Sequence, residues 1–337
     1  MGFQSQAGQV GFITQAVPGA YTDPGTGGVF MRTRSGALAA NRELLIPDPE
    51  IGGGRDVPDA YLGAVSFAGD YEFYGRTNSI ATLLYAAFGT KATVDTDFAT
   101  DGHATHTLTP TDGALPWLSV EEAIGNGFDT FQYVDAKVNT LSFEAEANGY
   151  LMGTAGFIAR EQTAGNVKTA APSWDTNPMM VGTNITATYG GITLPAKSFT
   201  LELNNNLEDD DFRLGSFFLG DVTEKRRELT MGFVLRPEDV GYWRQAVYGA
   251  TGATEPGGLV SKEPVVIAIE SYENAGTSAT VKHGIIITVP KAAFQPFAVE
   301  PSGDDVIEHD VTLQALRPDP STEIVSVAVT NTLETVA

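Results

Sequence analysis

Apolar and polar residues alternate with period two along most of this chain, and helical spacing interrupts them twice. The clearest case is residues 61–89, where Val65, Phe67, Tyr71 and Phe73 share one face and Ser66, Ala68, Asp70 and Glu72 the other. That pattern predicts a half-buried strand. After Arg76 the spacing changes: Thr77 or Asn78 can cap a helix running through Ile80, Leu83, Leu84 and Ala87, with Gly89 as its stop. Residues 218–249 repeat the arrangement, with Leu229, Met231 and Phe233 as the buried stripe. Pro237 fits a first helical turn, Val240, Trp243 and Val247 give an apolar helix face, and Gly249 ends it.

Further strands are expected at 103–109, 115–121, 128–134, 138–146 and 150–159 in the first half. The second half has them at 180–189, 192–204, 264–270, 280–289, 293–299 and 306–316. Asn148-Gly149 and Gly190-Gly191 lie between such runs and mark hairpins. Residues 137–159 and 291–315 both read as strand, glycine-containing turn, strand. The expected fold is mainly β: two tandem, diverged β-sandwich or barrel domains, each with a flanking short α-helix. The boundaries are an N-terminal arm (1–30), a first domain (31–161), a linker (162–177), a second domain (178–317) and a C-terminal tail (318–337). The arm, rich in Gly, Gln and Thr, is expected to be flexible or ordered by a neighbouring subunit.

Composition narrows the function. The 337 residues carry 42 acids against 20 Lys and Arg, a formal net charge of −22. Stable nucleic-acid binding requires the opposite sign, because phosphates must be neutralised. Repulsion still suits a conduit through which DNA slides, and acidity also keeps an abundant protein in solution. There is no cysteine, so disulfides and thiolate metal sites are excluded. No secretory signal and no run of the roughly 18 apolar residues of a membrane helix is recognisable, which predicts a soluble protein made in a cytoplasm.

A search for chemistry finds no catalytic constellation. His103 and His106 are three apart on or near a strand and point to opposite faces, while His283 and His309 read as core or solvated. The runs Glu208–Asp211 and Asp304-Asp305 lack the alternating ligands of a calcium loop. Gly52-Gly53-Gly54 precedes no P-loop lysine. The pair Glu121-Glu122 has no feature that sets it apart among so many acids. No metal, no cofactor and no enzymatic activity are expected.

Several short stretches together carry a resemblance. Gly53-Gly54-Arg55-Asp56-Val57-Pro58, Trp117-Leu118-Ser119-Val120-Glu121-Glu122, Ser302-Gly303-Asp304-Asp305 and Glu308-His309-Asp310-Val311-Thr312, in this order and with the duplicated layout, resemble the tail tube (major tail) proteins of long-tailed bacteriophages. The resemblance spans about residues 30–317. It implies two packed sheets with a short helix, and sheets of neighbouring subunits joined into a ring lined by a continuous barrel. Stacked rings then make a tube in the virion tail, assembled in the host cytoplasm.

Duplicated members imply a trimer of pseudo-six-fold symmetry, with a hexamer as the alternative. The implied partners are further copies of the chain, tape-measure and tail terminator proteins, and double-stranded DNA in transit, without a membrane. Ring closure would also remove open sheet edges, which otherwise invite aggregation. The acids that alternate with buried residues, Asp70, Glu72, Glu144, Glu146 and Glu202, are then the candidates to face the lumen. Loops 90–102 and 250–262 and the terminal arms are candidates for ring-to-ring contacts. The competing class is a non-catalytic carbohydrate-binding or adhesive β-sandwich, which would display clustered exposed aromatics.

Overall fold

The computed structural model describes residues 4–94, 98–125, 127–236, 240–299 and 306–336. The first half contains β1 (Gln9–Thr14), β2 (Val29–Met31), β3 (Thr33–Gly36), β4 (Ala39–Leu45) and β5 (Tyr61–Tyr74). After these come α1 (Thr77–Phe88), β6 (Gly89–Val94), α2 (Phe98–Asp101), β7 (Ala104–Pro110), β8 (Leu118–Ile124), β9 (Asp129–Glu146) and β10 (Met152–Thr163). The second half contains β11 (Ile185–Tyr189), β12 (Ile192–Thr193), β13 (Ala196–Asn204), β14 (Glu228–Leu235) and α3 (Gly241–Tyr248). It ends with β15 (Glu263–Asn274), β16 (Lys282–Phe294), β17 (His309–Ala315) and β18 (Ser326–Asn331). The protein is mainly β, and its ladders are antiparallel.

The strands pair in the same order in both halves. In the first the path is β2–β1–β8–β9–β10–β5, with β3 and β4 on the far side of β5. In the second it is β12–β11–β15–β16–β17–β14–β13. A short 3₁₀ turn precedes each path, at Ser5–Ala7 and at Gly182–Asn184. Two strand ladders among the described residues join the halves: β9 pairs with β13, and β18 lies between β16 and β7.

The apolar stripes read for the strands and for α1 meet in one cluster, whereas Val240 at the start of α3 is exposed. Phe73, Ile80, Phe143, Leu201, Met231, Ile287 and Val327 belong to one contiguous core drawn from both halves. Burying each such side chain contributes about 1.5–3 kcal/mol, so the halves stabilise each other. Gly153 shows how tight the packing is. Phe73 and Phe143 meet edge to face, centroids 6.5 Å apart, on the side of the sheet where a Cβ at residue 153 would lie 2.5 Å from the Phe73 ring.

Several expectations need correction. The N-terminal segment is neither a flexible arm nor ordered by another subunit: β1 and β2 pair within the chain, and Phe12 and Phe30 are fully buried. The C-terminal tail contains β18, whose Val327 and Val329 are buried. Helix α1 is not a flank. Ten of its twelve residues are buried and it touches β2, β7, β9 and β18, because Ala81, Ala86 and Ala87 keep its remaining faces thin. Helix α3 lies on the outside, with Gln245 and Ala246 as its buried residues, and the short α2 has no buried residue.

The expected strands 128–134 and 138–146 form one strand, β9, bent at Asp135 (φ 55°). The expected 280–289 and 293–299 are likewise one strand that stops at Phe294. Both helices end as anticipated on a left-handed glycine, Gly89 at φ 88° and Gly249 at φ 91°. The Gly190-Gly191 turn has two positive φ angles, 57° and 81°, which supports a two-residue hairpin. Pro237 and Ser302-Gly303-Asp304-Asp305 lie outside the described residues.

An acidic face shared by both halves

Strands β5, β10, β9, β13, β14 and β17 form one uninterrupted antiparallel sheet that crosses from the first half into the second. Residues in register across a ladder point to the same side, so the registers define rows. One row reads Glu72, Thr154, Ser142, Glu202, Thr230, Gln314, and the next Tyr74, Met152, Glu144, Thr200, Gly232, Thr312. On either side run Asp70, Gly156, Thr140, Asn204, Glu228 and Glu146, Ser198, Val234, Asp310.

All five acids chosen from the alternation fall in these rows. Asp70, Glu144, Glu146 and Glu202 are exposed and Glu72 is half-buried. Two further acids, Glu228 and Asp310, stand on the same face and were missed, although the alternation Leu229/Met231 against Glu228/Thr230 carried the signal. Among the described residues of the four rows there is no lysine or arginine. The nearest cation is Arg34 on β3, 3.8 Å from Glu72 and stacked 5.4 Å from the Tyr74 ring. The other face of the sheet is the core, with Phe73, Phe143, Leu201, Met231 and Leu313 in one row.

The acids that the sequence could not place are buried and structural. Glu121 and Glu122 point to opposite sides of β8. Glu121 accepts from the Gln9 side chain at 2.5 Å and from the Thr169 hydroxyl at 2.8 Å. Glu122 accepts from the Tyr133 hydroxyl at 3.0 Å, and burial pushes its carboxyl above the ordinary range in spite of that bond. Asp135 pairs with Arg160 at 2.6 Å.

Asp175, in the stretch expected to be a linker, accepts from the Ser79 N–H at 2.7 Å and its hydroxyl at 2.8 Å. It thereby caps α1, the role the sequence reading gave to Thr77 or Asn78. Neither could serve, because the N-cap position falls on Arg76, whose side chain makes no capping bond.

Among the described residues, no group of three or more His, Asp or Glu is placed to hold a metal ion. His106 is buried and bonded to Asn331 at 3.1 Å, and His283 is buried against the Thr77 hydroxyl at 3.2 Å. The tryptophans are engaged in packing: Trp117 under the Lys137 ammonium at 3.9 Å, Trp174 on Phe30, Trp243 on Tyr248. No described helix is long and apolar enough to cross a membrane.

A family model described as phage tail tube protein matches residues 5–315. The chain belongs to this family. The comparison with curated proteins gave no match. The matched span starts at the first 3₁₀ turn and stops at the end of β17, so both halves of this tail tube protein lie within it and β18 lies beyond it. Membership assigns the protein a structural role in the tail of a bacteriophage.

Proposed function

We propose that this protein self-assembles into rings that stack into the tail tube, and that its acidic face lines the channel through which double-stranded DNA leaves the virion. The observation that carries the reading is the face itself: seven carboxylates, Asp70, Glu72, Glu144, Glu146, Glu202, Glu228 and Asp310, over one sheet common to both halves. A wall of this sign repels phosphates within the Debye length of about 8 Å at physiological salt. It gives DNA nothing to grip.

The repeated pairing order supports two copies of one tube-building unit, the first beginning at β1 rather than residue 31. Three chains then supply six units to a ring, with a hexamer of chains as the alternative.

Stacking requires a head-to-tail contact that does not close on itself. The β4–β5 hairpin is suited to it: Leu44, Leu45, Ile46, Ile51, Val57, Tyr61 and Leu62 are all exposed towards its tip. The hairpin joins residues 90–102, which contain most of β6 and all of α2 rather than the expected loop, and loop 250–262 as a candidate ring-to-ring contact, and it is the more apolar. Tape-measure and tail terminator proteins would occupy and close the finished tube. Electron microscopy of the purified chain tests the proposal: rings or tubes with a central channel wide enough for duplex DNA support it, and dispersed monomers at high concentration oppose it.

A further inference from the structure

The two halves have equivalent clefts, and only one of them is filled. In the second half, the space between β11 and the start of β13 is lined by Ile185, Ala187, Leu194 and Phe199. The end of β9 enters it with Ala145, Glu146 and Ala147, leaving about 110 Å³. The contact is intimate, because a Cβ on Gly182 would lie 1.8 Å from the Glu146 carbonyl. In the first half the matching space lies between β1 and β3, lined by Gln9, Val10, Met31, Thr33 and Ser35. It is open, at about 590 Å³. Beside it the outer edge of β3 is bare: β3 pairs with β5 alone among the described strands, and all four of its residues are exposed.

The missing occupant has a counterpart at the other end of the sheet. Strand β16 holds the place of β9, but its pairing stops where β9 goes on to meet β13. The Gln295 N–H still donates to the Thr312 carbonyl at 2.8 Å, after which residues 296–299 belong to no strand. Gln295, Pro296 and Ala298 are exposed, and Phe297 rests on the His309 ring at 5.2 Å.

We propose that residues 295–299 of one copy add as a strand to the β3 edge of a second copy and fill its cleft, as the end of β9 does on β13 within the chain. This rests on the self-assembly reading above and names the surfaces that join. The internal junction also gives the register. Within the chain Glu144 stands opposite Thr200. The stretches starting at Lys137 and Lys291 align Glu144 with Ala298. Thr200 opposite Gly232 on β14 corresponds to Ser35 opposite Glu72 on β5. Ala298 of one copy therefore faces Ser35 of the next. The contact is head-to-tail, so it propagates from chain to chain and closes only as a ring.

The chain has no cysteine, so an engineered pair reports cleanly. Directly opposed strand residues lie about 4.5–5.5 Å apart at Cα, within disulfide range. Chains carrying both Ser35→Cys and Ala298→Cys, assembled and oxidised, should run as linked trimers on a non-reducing gel and revert to monomers on reduction. Each single variant alone should give no such ladder. On the unaltered protein, hydrogen exchange should slow at residues 33–36 and 295–299 on assembly. Tubes that form without the cross-link and without protection of these two segments would overturn the edge assignment while leaving self-assembly standing. Failure of the unaltered chain to form rings would overturn both.

Discussion

Glu144 on β9 stands directly opposite Thr200 on β13, so the junction between the two halves lies in the middle of the acidic face rather than at its rim. The face is continuous because the strands alternate in phase: Phe143 and Leu201 point to the core together, and Glu144 and Glu202 away from it. Reversing charge there should change affinity for DNA without changing the fold. The triple variant Glu144→Lys, Glu146→Lys, Glu202→Lys should retain DNA at low salt, with affinity falling steeply as salt rises. The unaltered protein should show no retention. A gel-shift titration with duplex DNA over a salt series reads this out.

Asp175 holds the start of α1 from nearly a hundred residues away. Its carboxylate satisfies the Ser79 N–H and hydroxyl, and the Asn177 N–H at 3.1 Å. Removing it leaves buried donors without a partner, which costs about 1–3 kcal/mol. Asp175→Ala should therefore lower the urea midpoint, and Asp175→Asn should recover part of the loss through its remaining carbonyl oxygen. An unchanged midpoint for Asp175→Ala would contradict the capping role.

Glu122 makes a pH prediction of definite sign. Burial raises its pKa in the folded protein above that of the unfolded chain. The folded state therefore holds this proton more tightly, and stability from this group is lost as pH rises through the unfolded and then the folded value. Glu122→Gln keeps an oxygen for Tyr133 and removes the titration. Its melting temperature relative to the unaltered protein should rise as pH increases upward from the ordinary glutamate range. A difference that is flat with pH, or that falls, would contradict the assignment.

The β4–β5 hairpin should separate stacking from ring formation. Leu45→Asp together with Leu62→Asp places charge on side chains that are 48% and 56% exposed, so the subunit fold should be unaffected. Isolated rings should accumulate in place of tubes, measured by sedimentation and negative-stain microscopy. Tubes of normal length would show that stacking uses other surfaces.

Much of this fold was legible because its signals are local. Alternation placed Val65 to Phe73 on a strand, Gly89 and Gly249 ended their helices, and the same alternation put all five chosen acids on one side of one sheet. What escaped depends on partners distant in sequence. Strands β1 and β2 are short and rich in glycine and glutamine surroundings, and only β8 and the core make them strands. Strand β18 is defined by β7, more than two hundred residues earlier. Helix α1 has an amphipathic pattern, yet Asp175, β2 and β18 close over its polar side and make it central. Glu121 and Glu122 look like any other acid pair until Gln9, Thr169 and Tyr133 are brought to them.

In the proposed assembly the face carrying Glu144 and Glu202 is the wall of a channel. A cryo-electron microscopy reconstruction of the assembled tube tests it directly by locating that face relative to the tube axis. The carboxylates of Asp70, Glu72, Glu144, Glu146 and Glu202 should project into the lumen, with α3 outside. Density that puts this face on the outer wall, or buries it between subunits, would contradict this arrangement.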